Sequence, residues 1–259
     1  MPFFKTQEEI DAMREGGHLL SRALKAAVEA VKPGVDIRDL DKIGEQVIVE
    51  SGGTPSFKGY QSDPSDTPFP STICISINEE VVHGRGDREI LLKEGDIVGL
   101  DIGCWFKGVC TDMAVTVAVG TVSKEAQDLM EATKASLYKA VEVAVVGNCV
   151  KDIGQAVESV IKPCGYGIVR ALVGHGVGHA VHEAPHVPNF TSHAQPYVEL
   201  QDGMCLAIEP MIGMGGDYRV ETAEDGWAVI MKDRSLAAHF EVTIAITDKG
   251  TEILTPLPV

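Results

Sequence analysis

Apolar residues recur at helical spacing in "IDAMREGGHLLSRALKAAVEAV" and stop at "KPG", which predicts a helix over residues 7 to 31. A second helix is predicted in "DIRDLDKIGEQVIVESGG", with an Asp near its start and a double glycine after its end. "TPSFKGYQSDPSDTPFPST" breaks the pattern with Pro, Ser and Asp and reads as a long loop. Strands are predicted in "ICISINEEVVHG", "DIVGLDIGCW" and "VCTDMAVTVAVG". Two more helices follow, near 123 to 146 and 150 to 162, and then a last set of strands from 168 to 254. Helices then strands, twice over, predict an α+β chain.

The repeated order has a counterpart in the residues. "AVEAVKPGVDIRDLDKIGEQVIVESGG" (27 to 53) aligns without gaps on "AVEVAVVGNCVKDIGQAVESVIKPCGY" (140 to 166), at a constant offset of 113. "KEGDIVGLD" matches "QDGMCLAIE", and "VCTDMAVTV" resembles "AHFEVTIAI". "HGRG" at 83 echoes "HGVG" at 175. Four matches in the same order predict a single domain of two half-repeats, about 7–120 and 123–254.

The matches align four carboxylates, each set in apolar strand sequence: Asp101, Asp112, Glu209 and Glu241. An unpaired carboxylate in such surroundings is costly and takes a proton unless something compensates its charge. Asp101 and Asp112 are symmetric about Phe106 and Lys107, so a hairpin turning there would place them directly opposite each other. Two divalent cations would neutralise four such groups. Arginine or lysine could do so instead, but Lys107 is the only base within five residues of any of them.

Composition narrows the partners. With 259 residues, 44% of them hydrophobic, there is ample material for a core. A formal net charge of −16 without a Lys/Arg cluster argues against nucleic acid and anionic membrane as partners. The start is polar within a few residues, and the longest apolar run is too short to span a bilayer. The six cysteines form no CxxC pair, so free thiols in a reducing cytoplasm are expected.

"LVGHGVGHAVHEAPH" spaces His175, His179, His182 and His186 at helical intervals. Three glycines and Pro185 oppose a helix there. The prediction is an extended segment with tight turns, in which not all four can serve one ion. A surface or hydrogen-bonded role is expected for His179, His186, His193 and His239.

Several motifs together resemble the type I methionine aminopeptidases: "CISINEEVVHG", "LDIG…CTDMAVTVAVG", "GHGVGHAVHEAP", "AIEPMI", "DGWAV" and "FEVTIAIT". The resemblance covers nearly the whole chain. It implies the pita-bread fold, with two pseudo-two-fold halves whose antiparallel sheet is covered by helices. It also implies removal of the initiator methionine from nascent proteins whose second residue is small. Asp101 would hold one metal, His175 with Glu209 the other, and Asp112 and Glu241 would bridge both. A hydroxide between the ions would be the nucleophile. Co²⁺, Mn²⁺, Fe²⁺ and Zn²⁺ all suit this donor set. Glu209 would shuttle the proton, and His83 and His182 would contact substrate and steady the tetrahedral intermediate.

Tyr60, Phe69, Cys74, Met211 and Trp227 are the residues expected to form the apolar methionine pocket, where a thioether packs well. The resemblance also suggests a cytoplasmic monomer with transient ribosome contact. Three departures from the family pattern stand out. The loop 61 to 72 is long for the type I form, Val181 replaces a bulkier residue, and "HFEVT" replaces the more usual Gln-aromatic-Glu-His-Thr. The competing enzyme is an X-Pro peptidase of the same fold, which usually carries an extra N-terminal domain. A non-catalytic relative would typically have lost ligands, and all five are present here.

Overall fold

Thr6 opens the first helix through a reciprocal capping box. Its hydroxyl accepts from the Glu9 amide, and the Glu9 carboxylate accepts from the Thr6 amide. In the computed structural model, which describes residues 4–61, 63, 65 and 67–259, this helix is α1 (Gln7–Ala30). Asp36 caps α2 (Ile37–Glu50) and Ser123 caps α3 (Lys124–Val143). The Asp152 carboxylate accepts from the Cys149 amide at the start of α4 (Val150–Ile161). All four helices fall where the hydrophobic periodicity predicts them. None among the described residues is long and apolar enough to cross a membrane.

Fifteen strands are described. The first half carries β1 (Thr54–Pro55), β2 (Ile73–Ile77), β3 (Glu80–Val82), β4 (Ile97–Phe106) and β5 (Val109–Ala118). After α4 come β6 (Gly167–Ile168), β7 (Gly174–Gly176), β8 (Glu183–Val187), β9 (Cys205–Ile208) and β10 (Met211–Gly213). The last are β11 (Val220–Thr222), β12 (Val229–Met231), β13 (Ala237–His239), β14 (Glu241–Thr247) and β15 (Gly250–Ile253). The predicted loop after β1 is observed, although residues 62, 64 and 66 of it lie outside the described residues.

The main sheet runs β1-β4-β5-β14-β9-β7-β8, with β2 on β4 and β15 on β14, and its pairings are antiparallel. Strand β14, late in the chain, lies between β5 of the first half and β9 of the second. Helices α1 and α2 pack on each other and on β2, β4 and β5, and α3 and α4 pack together beside β8, β9, β10 and β13. One large apolar cluster joins them, including Leu20, Leu24, Ile102, Val115, Leu137, Ile153, Leu206 and Ile244. This is the α+β, helix-covered antiparallel architecture that the sequence predicts.

The β4–β5 hairpin corrects one expectation. It pairs Phe106 with Val109, so the turn is Lys107-Gly108 and not Phe106-Lys107. Both turn residues have positive φ (49° and 85°), as a two-residue type I′ turn requires, and glycine adopts that geometry freely. Asp101 therefore faces Ala114, and Asp112 faces Gly103. The register shifts by two positions. Side chains alternate with a period of two, so Asp101 and Asp112 stay on one face as diagonal neighbours.

Candidate metal centre

The sheet register brings the predicted carboxylates together. Ala114 on β5 is paired with Asp101 on β4 and with Glu241 on β14, so a small residue separates two acids across three strands. Pro210 and Phe240 interrupt the β9–β14 ladder, yet the register is the same on both sides of the break. Ile208 pairs with Val242 before it, and Met211 pairs with His239 after it. Glu209 and Glu241 face each other inside the break, with Glu241 held on its other side by the pairing with Ala114.

Two threonine hydroxyls hold the junction between β5 and β14. Thr243 Oγ1 accepts from the Asp112 amide (3.0 Å) and donates to the Asp112 carbonyl (2.8 Å). Thr116 Oγ1 accepts from the His239 amide and donates to the His239 carbonyl, both at 2.9 Å. Each hydroxyl stands in for a missing ladder partner.

His175 sits on β7, opposite Ala207 of β9 and His186 of β8. The predicted extended segment is observed as β7, a turn and β8. The flanking glycines have a direct steric cause. A Cβ on Gly174 would press on the Ala207 carbonyl oxygen, and one on Gly176 on that of Ala184. His175 Nδ1–H donates to the Gly176 carbonyl (2.9 Å), which leaves the Nε2 lone pair free, 3.5 Å from Glu209 Oε1.

Asp112, His175 and Glu241 each offer a donor atom within 4.8 Å of the other two, and all three are buried. Asp101 is also paired across the sheet with Cys74 of β2. Burial first, and mutual repulsion second, push Asp101, Asp112, Glu209 and Glu241 well above the usual carboxylate range. Burial, with His182 nearby, pushes His175 down to about 3. Buried oxygens of Asp101, Asp112 and Glu241 lack any hydrogen-bond partner. Four acids that resist ionisation, orphaned oxygens and a neutral imidazole make up a donor set that a divalent cation fits, because it would satisfy all of them at once.

These groups line a cavity of about 450 Å³, together with His83, His182, Tyr60, Phe69, Cys74, Met211 and Trp227. Every predicted site residue therefore borders one space. His83 follows β3 with φ of 60°, a conformation rare for a residue with a side chain, and burial beside His182 pushes its pKa down to about 4. His182 Nδ1 is hydrogen-bonded to the Tyr60 hydroxyl (3.0 Å), and its ring meets that of His175 edge-on at 4.5 Å. Phe69 and Trp227 pack edge to face at 5.1 Å. The Asp225 carboxylate fixes Trp227 by accepting from its amide and from that of Ala228.

The turn that carries His182 is tied down by Glu183, whose carboxylate accepts from the amides of His179 and Ala180. Lys5, reaching in from the N-terminal segment, completes this with a 2.9 Å ion pair. His179 Nε2 contacts Glu9 of α1 at 2.8 Å, which accords with the hydrogen-bonded role expected for it, and His193 is exposed. His186 is exposed, in keeping with the surface role expected for it, and also borders the cavity. His239 departs from expectation. It is buried, with Nε2 3.5 Å from Glu209 Oε2 and 3.8 Å from Glu241 Oε2, and that nitrogen has no hydrogen-bond partner. Its spacing of two from Glu241 in a strand was the signal for this, since such residues share a face. Phe57 and Leu172 also line the cavity, and nothing in the sequence sets them apart from ordinary core residues.

The chain belongs to metallopeptidase family M24, whose model matches residues 11–248. It is 44% identical over 255 residues to a methionine aminopeptidase of Clostridium acetobutylicum, an alignment that spans 98% of this chain and 99% of the relative. The structure is similar to that of the Thermotoga maritima methionine aminopeptidase, with TM-score 0.91 and 37% identity over 97% of this chain and 98% of that one. A prolidase from Pyrococcus furiosus shares the fold at TM-score 0.78 but only 23% identity, and this chain covers 65% of its length.

Proposed function

We propose that the protein is a methionine aminopeptidase that removes the initiator methionine from nascent proteins whose second residue is small. The observation that most supports this reading is the shared cavity, in which five candidate ligands lie beside an apolar, partly aromatic pocket. Asp101, Asp112, His175, Glu209 and Glu241 would hold two divalent cations, with Co²⁺, Mn²⁺, Fe²⁺ and Zn²⁺ as candidates. When bound, such cations supply Lewis acidity at the scissile carbonyl and lower the pKa of a water.

The chain's own residues do the rest. Phe69, Cys74 and Trp227 pack the methionine side chain and exclude water from it, with Tyr60 and Met211 beside them. Glu209 receives and returns the proton. His182, oriented by Tyr60 and with its pKa lowered by partial desolvation, faces the peptide, and His83 faces it from the β3 side. The chain is one catalytic unit made of half-repeats 7–120 and 123–254. Its six free cysteines suit the cytoplasm, where the nascent substrate is found.

The test is a metal-dependent peptide panel. Met-Ala and Met-Gly peptides should lose their first residue, Ala-Pro peptides should not, and His175→Ala should be inactive. Cleavage of Ala-Pro but not of Met-Ala would overturn the assignment in favour of an X-Pro peptidase.

A further inference from the structure

The side chain that the five-ligand reading leaves unused is His239. It is 3% exposed, and both of its backbone polar groups are held by Thr116 Oγ1, so its position is fixed. It lies opposite Met211, two residues before Glu241, and its Nε2 is buried without a hydrogen-bond partner. Glu209, His239 and Glu241 offer donor atoms that lie within 4.8 Å of one another. Donors at about 2.1 Å from a tetrahedral ion stand roughly 3.4 Å from each other. Nε2 of His239 is 3.5 Å from Glu209 and 3.8 Å from Glu241, and Nε2 of His175 is 3.5 Å from the other Glu209 oxygen. An imidazole nitrogen thus faces each oxygen of Glu209. A residue that merely oriented Glu209 would sit at hydrogen-bond distance and donate to it.

We propose that His239 is a sixth metal ligand, adding a second imidazole to the ion held by His175 and Glu209. This rests on the metallopeptidase reading of those two residues. An imidazole suits Zn²⁺, Fe²⁺ and Co²⁺, whereas Mn²⁺ favours oxygen donors, so the extra nitrogen shifts preference away from Mn²⁺ at this position. The other single-residue departures from the family pattern, Val181 and Val242, are aliphatic and add no metal donor.

The experiment uses the full-length protein, stripped with a chelator and titrated with one equivalent of Co²⁺. X-ray absorption counts the coordinated imidazoles, and competition with a chromophoric chelator gives Kd. Two imidazoles are expected in the unmodified protein. One is expected in His239→Gln, which restores the family's usual residue, with Kd weakened about tenfold or more. The unmodified protein decides the matter even if the variant folds poorly: a single imidazole there overturns the proposal, as does an unchanged Kd in folded His239→Gln. His175→Ala separates the two levels. If it also leaves Kd and imidazole count unchanged, the metal reading fails. If it raises Kd and lowers the imidazole count while His239→Gln does neither, only the role of His239 fails.

Discussion

Glu209 is bracketed by two imidazoles and faces a second glutamate, so its charge is costly without a cation. The same holds for Asp101, Asp112 and Glu241. Their folded pKa values lie above the unfolded ones, so the stability these four groups contribute in the metal-free protein is fully present below about pH 4 and is lost as pH rises through the raised values. A bound cation reverses this at neutral pH. At 100 times Kd it should add about 2.7 kcal/mol, raising Tm by roughly 5–10 °C. That increment should vanish as pH falls toward 4, because protons displace the ion. Calorimetry with Mn²⁺ against chelator, between pH 4 and 8, measures it; a pH-independent increment would contradict the assignment. His182→Ala should keep its metal content while kcat falls about 100-fold, which distinguishes it from His175→Ala. The four carboxylates were legible in the sequence because they recur at equivalent places within apolar strands of the two half-repeats, and His175 was singled out by the family resemblance. For His239 the only signal was its spacing of two from Glu241, which puts both on one face but does not place the imidazole nitrogen.

At the scale of elements, the helices and long strands were legible because caps and periodicity mark them. The hairpin register was not. It depends on which two residues take positive φ, and Lys107-Gly108 does so where symmetry about Phe106 and Lys107 suggested otherwise. The strands of three residues or fewer around the cavity carry too little pattern to be seen. The Lys5–Glu183 pair was also invisible in the sequence, since 178 residues separate its members. Burial alone would raise the pKa of Glu183, but the hydrogen bond from Lys5 and the backbone amides hold it below the usual value. The stability this contributes is present above the unfolded carboxyl pKa of about 4.3 and is lost as pH falls through the lowered folded value. Lys5→Met should cost about 3 kcal/mol, because it strands a partly buried charge. Lys5→Met with Glu183→Gln should recover part of that, and denaturant melts of the unmodified protein, the two single variants Lys5→Met and Glu183→Gln, and the double variant measure the coupling. Additive losses would show that the pair does not hold the turn that carries His182.

For the whole molecule, the order of elements and the gapless similarity between 27–53 and 140–166 make the two-part α+β design readable in the residues themselves. What they do not reveal is how the halves share a sheet. Residues of the second half form β14, which pairs with β5 on one side and β9 on the other, and its first residue is Glu241. A linear chain that builds its central strand near the end has many contacts of long sequence separation and folds slowly. Synthesis proceeds from the N-terminus, so β4 and β5 leave the ribosome with one edge unpaired and wait there. Nascent chains arrested before Glu241 should therefore remain protease-sensitive through β5 and β9, and resistance should appear once 241–247 have emerged. Resistance gained earlier would show that the first half folds alone. In this way the sheet order acts as a timer on the centre, which is completed only after β14 has been made.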